Sequence, residues 1–88
     1  MTKPLSDTER VRKLIERVRL LVAIDDEMPA ERKLEIQPLL KMFERAAVDE
    51  EDPELAARYY GELRLLVAGE ANLEALLSAV PVFLPYLR

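Results

Sequence analysis

A chain of 88 residues carries 17 acidic and 13 basic side chains, is 50% hydrophobic, and has no histidine, cysteine or tryptophan. That composition excludes a Cys/His zinc site, a disulfide, a haem ligand, a thiol nucleophile and a Ser-His-Asp relay, and the length holds one domain. The apolar half is mostly leucine and alanine with few β-branched residues, which predicts an all-α fold: a compact bundle of about four helices spanning 1–88.

Residues 1–5 read as a flexible N-terminus, because Met1-Thr2-Lys3-Pro4 leads into charged residues without the apolar stretch of a signal peptide. The first helix is predicted over 7–24. It opens on a capping box in which Ser6 accepts from the Glu9 amide and the Glu9 side chain reaches back to the Ser6 amide. Val11, Leu14, Ile15, Val18, Leu21 and Val22 recur at helical spacing on one face. Glu9 with Lys13, and Arg12 with Glu16, stand four residues apart as candidate ion pairs.

A second helical segment, 30–48, follows Pro29, a residue suited to the first helical turn. Ile36, Leu39, Leu40, Phe43, Ala46 and Ala47 share its apolar face, while Leu34 falls on the far side of a straight helix. Pro38 removes one hydrogen bond, so the segment is expected to break near Ile36–Pro38 into a short helix and a longer one. The third helix, 53–68, starts on three signals together: Asp52 as N-cap, Pro53 at the first position and Glu54 beside the positive helix end. Gly69 is the expected left-handed stop. Asn72 is the candidate cap of a fourth helix, 72–80, which Pro81 and Pro85 end. The remaining 81–88 reads as a docked apolar tail.

The chemistry is sparse. Neither Asp25-Asp26-Glu27 nor Asp49-Glu50-Glu51-Asp52 has the alternating oxygen ligands and turn glycine of a calcium loop. No glycine-rich phosphate loop is present, neither Ser6 nor Ser78 has a candidate activating base, and Ser6 already has a capping role. No metal or cofactor is expected, and no catalysis. An enzyme would have to work with Arg and carboxylate side chains alone, as chorismate mutases do, and the first helix does not match their pattern. The spacing of Tyr59-Tyr60, Gly69 and Ala75 does not fit a tetratricopeptide repeat. The longest uncharged run, from Ala75 to Leu87, falls short of the ~20 residues a membrane helix needs. A cytoplasmic protein is expected.

Three surfaces exceed what one small core requires. Phe83, Leu84, Tyr86 and Leu87 make the tail apolar almost to its last residue. Leu20 and Ile24 lie opposite Val11 and Val18 on the first helix, continuing a stripe begun by Lys13 and Arg17; the tail or the fourth helix is expected to cover them. Ala57, Gly61 and Leu65 lie away from the apolar face of the third helix, where an interior glycine suggests close approach by another helix. Together they favour a homodimer or a protein partner: a non-catalytic adaptor, chaperone-like or regulatory interaction module. The alternative is a dimer that binds nucleic acid through Arg10, Arg12, Lys13, Arg17 and Arg19. Charge is unevenly placed: residues 1–24 carry six basic and three acidic side chains, and 25–54 carry four basic and eleven acidic ones. The two segments are expected to offset each other within the fold or an oligomer.

Overall fold

Ser6 starts the first helix, α1 (Asp7–Ile24), as its sequence demands: its Oγ accepts from the Glu9 amide at 3.2 Å. The Glu9 carboxylate closes the cap by accepting from the Ser6 hydroxyl at 3.1 Å rather than from the Ser6 amide. These details come from a computed structural model that describes residues 5–88. Apart from the exposed Leu5, the flexible N-terminal stretch expected at 1–5 lies outside the described residues. After α1, Asp25 organises the turn, its Oδ1 accepting from the amides of Glu27 at 2.9 Å and Met28 at 3.2 Å. The first acidic cluster is therefore in part a turn device.

The second helix, α2 (Ala30–Glu44), runs unbroken through Pro38, against expectation. The bond that Pro38 deletes would have ended on the Leu34 carbonyl. Pro38 and Leu34 are both exposed, so water can take the place of the missing amide. Because the helix stays continuous, Leu34 is left 74% exposed instead of being turned into the core. Two α2 side chains hold the end of α1 from the side: Gln37 Nε2 donates to the Arg19 carbonyl at 3.0 Å and Lys33 Nζ to that of Ala23 at 3.2 Å. The chain then widens into a π-helical turn, Arg45–Asp49, whose signature bond runs from the Glu50 amide to the Arg45 carbonyl at 2.8 Å. Glu51 reverses the chain in the left-handed region, at φ 49°.

Asp52 caps the third helix, α3 (Pro53–Leu66), through its Oδ1 and the Leu55 amide at 3.2 Å, with Pro53 in the first turn. Gly69 adopts φ 91°, the left-handed backbone expected of it. The fourth helix, α4 (Ala71–Phe83), begins after Glu70, with no side-chain cap. Asn72 is thus a residue of the first turn and not the cap.

Nor does Pro81 end α4. Its missing amide leaves the Leu77 carbonyl without its usual donor, and the Tyr60 hydroxyl fills that place from α3 at 2.6 Å. Arg64 Nη1 donates in turn to the Tyr60 oxygen at 3.1 Å. The helix passes the proline because a tertiary hydrogen bond replaces the local one. A short 3-10 turn, Pro85–Leu87, closes the chain.

The helices pack as two close pairs, α1 with α4 and α2 with α3, joined mainly by α1 against α2. The slab measures 41 × 32 × 19 Å, so its thin dimension is about two helix diameters. Val11, Ile15, Val18 and Val22 of α1 meet Ile36, Leu40 and Phe43 of α2, Leu63 of α3, and Leu77 and Val80 of α4 in one apolar core. Phe43 and Tyr60 stack obliquely at its centre, 5.8 Å apart at 39°. Among the described residues no polar or charged residue is buried.

Candidate interaction surfaces

The five basic residues expected to form one arc are divided by the fold. Arg12 and Arg19 turn toward α2 and share Glu44, Arg12 Nε lying 3.3 Å from its Oε1 and Arg19 Nη2 3.1 Å from its Oε2. Arg12 also pairs with Asp49 at 3.0 Å. These cross-helix bonds replace the Arg12–Glu16 pair expected within α1, and no Glu9–Lys13 ion pair forms either. Part of the charge offset between residues 1–24 and 25–54 therefore occurs inside the molecule. A groove of about 690 Å³ beside these pairs is lined by Pro38, Lys41 and Met42. Exposed Met42 was not singled out from the sequence, because in a single chain nothing distinguishes it from a core methionine.

Arg10, Lys13 and Arg17 lie on the other side of α1. With Leu5, Leu14, Leu20 and Phe83, and with Glu16 as the one carboxylate, they line a groove of about 550 Å³. Arg10 is held there by its Nε, which donates to the Leu5 carbonyl at 3.3 Å, and by its guanidinium, 5.6 Å over the Phe83 ring. Among the described residues none of the three cations pairs with a carboxylate.

Leu20 and Ile24 are 60% and 62% exposed, so neither the tail nor α4 covers them. Burial along the tail is uneven, with Val82 61% exposed. Leu84 is only 7% exposed and packs in the core, which corrects its assignment to a contact surface. Phe83 and Leu87 are half-buried against the core, and Tyr86 is exposed. Burial, and to a lesser degree the nearby charges of Asp52 and Glu51, push the Tyr86 hydroxyl above its ordinary pKa of 10.0.

No family model matches this chain, and no curated protein or solved structure does. Its surfaces must therefore be argued from their own chemistry. Among the described residues no group of three or more carboxylates gathers in a geometry that could hold a metal ion. None of the described helices is long and apolar enough to cross a membrane.

On α3, Ala57, Gly61 and Leu65 all face outward, Leu65 at 80% exposure. A Cβ built on Gly61 meets no atom of the described residues within 4 Å outside its own helix, so no neighbour among them requires the glycine. Gly61→Ala should raise the stability of the isolated chain by about 1 kcal/mol, through helix propensity alone. A thermal melt at low protein concentration should move upward by about 4–8 °C. A lower melting temperature would mean that Gly61 is held against something within one copy.

A shallow cleft lined by Pro29, Glu31, Arg32, Glu35, Leu65 and Leu66 adjoins this face, and Leu34, also on α2, is exposed. Arg32 is drawn away toward Glu70, 3.9 Å from its carboxylate. Glu31 and Glu35 pair with no cation among the described residues. The sequence could have exposed this surface had Pro38 been read as compatible with a straight helix.

Proposed function

We propose that the protein is a small, non-catalytic helical interaction module, and that its partner is a second copy of itself, the homodimer being the smallest assembly. The observation that carries this reading is the contrast between a core closed within one chain and large aliphatic side chains left in solvent. Scattered exposed leucines need no explanation. Leu20 and Ile24 are one helical turn apart, however, each lining a groove, and Leu65 borders a cleft, so these side chains form more than isolated exposures. Burying such patches is the ordinary source of association energy for small helical proteins.

The non-catalytic part of this reading rests on side chains that are already engaged. The cations Arg12 and Arg19 are engaged with Glu44, and the hydroxyl of Tyr60 is committed to a backbone carbonyl. The nucleic-acid alternative is left with Arg10, Lys13 and Arg17 on a chain of net charge −4. Sedimentation equilibrium tests the reading. The mass should rise above the 10.1 kDa of one chain at micromolar concentrations. A strict monomer at high micromolar concentration would remove self-association from the account.

A further inference from the structure

We infer that copies of this chain associate head-to-tail, the basic groove between α1 and α4 of one copy receiving the acidic ridge that α2 and α3 present on the next. This rests on the self-association reading above and specifies its geometry. The groove offers the apolar side chains Leu14, Leu20 and Phe83 beneath the cations Arg10, Lys13 and Arg17. The ridge has the complementary form. Leu34 and Leu65 are the most exposed large apolar side chains of the described residues, at 74% and 80%; Leu65 borders a cleft that Glu31 and Glu35 of α2 also line, with Arg32, directed toward Glu70, as its one cation.

Charge selects the pairing. A symmetric contact of groove on groove would bring two sets of Arg10, Lys13 and Arg17 together, relieved only by two copies of Glu16. A contact of ridge on ridge would oppose the carboxylates of Glu31 and Glu35 to themselves, relieved only by two copies of Arg32, which each copy already directs toward Glu70. Like charges across an interface repel and suppress that arrangement. Groove on ridge sets unpaired cations against unpaired carboxylates and seats two exposed leucines on an apolar floor. Because the two surfaces belong to different helix pairs, one such contact leaves a free groove on one copy and a free ridge on the other. The contact is heterologous, and assembly continues past two copies unless the rotation between them closes a ring.

Two double variants test this by sedimentation velocity, with circular dichroism as a check on folding. Lys13→Glu with Arg17→Glu reverses the groove, and Glu31→Lys with Glu35→Lys reverses the ridge. Each alone should associate at least about tenfold more weakly than the wild type. An equimolar mixture should associate in one-to-one stoichiometry, since the ridge of the first variant still fits the groove of the second and the reversed groove of the first meets the reversed ridge of the second. Should the charge reversals disturb folding, Leu34→Ser with Leu65→Ser removes the apolar crest without changing charge, and it too should weaken association about tenfold. Wild-type-like association of the folded variants, or variants that stay apart when mixed, would overturn the head-to-tail geometry while leaving self-association standing. A wild type that never associates would overturn both.

Discussion

Phe43→Ala should destabilise the protein by about 3–5 kcal/mol, the usual cost of emptying a fully buried aromatic position. Phe43 is completely enclosed and lies 5.8 Å from the Tyr60 ring, so its loss removes both the transfer energy of the ring and an aromatic contact. The neighbours cannot collapse freely into the space. Ile36 and Leu40 are fixed on the same helix, and Leu63 approaches from α3. A domain of this size has a total stability of only about 5–15 kcal/mol, so the variant should retain a small remainder or none. Urea unfolding followed by circular dichroism measures it as a fall in midpoint with little change in slope. Leu65→Ala, on the outer face, provides the control and should leave the midpoint of the isolated chain nearly unchanged. Equal effects from the two substitutions would mean that the core has been placed on the wrong face of α3.

The second large effect falls on a single oxygen. Tyr60→Phe keeps the ring and its packing but removes the hydroxyl that donates to the Leu77 carbonyl. Pro81 has no amide to take over, so the carbonyl of a fully buried residue is left without a partner, at a cost of about 1–3 kcal/mol. Arg64 loses its acceptor as well, though its guanidinium, 5.8 Å from the ring, can remain over the phenyl group. The mechanism predicts a specific rescue. Pro81→Ala restores the local donor, and it should recover more stability in the Tyr60→Phe background than in the wild type, with a coupling of about 1 kcal/mol. Strict additivity of the two substitutions would show that the hydroxyl does not compensate for the proline.

The helix starts at Ser6 and Asp52, the left-handed Gly69 and the apolar stripes of α1 and α2 were all legible in the sequence, because each depends on residues within a few turns of one another. What escaped was supplied from a distance. Pro81 reads as a stop until Tyr60, on another helix, is seen to donate to Leu77. Arg12 and Arg19 read as surface charge until Glu44 is brought across to them from α2. Pro38 misled for a different reason: Pro38 and Leu34 are both exposed, so water can replace the lost bond at little cost, and the far-side position of Leu34 in a straight helix already pointed that way. Among the proposed contact residues, Leu65 is exposed, as its position away from the apolar face of α3 implies, whereas Leu20 and Ile24 are exposed against the expectation that the tail or α4 covers them. Leu84 was misjudged because a short apolar tail can as easily be core as interface, and here it folds back and is buried.

The account holds that one copy closes its own core and that its outer leucines are what a second copy covers. A dilution series followed through the methyl resonances of the leucines tests this most directly. Lowering the concentration from the associated to the dispersed range should shift Leu20, Leu34 and Leu65, while Leu40, Leu63 and Leu77, enclosed within each copy, stay fixed. Methyl resonances that do not change at any concentration, or changes concentrated on the enclosed leucines, would contradict it.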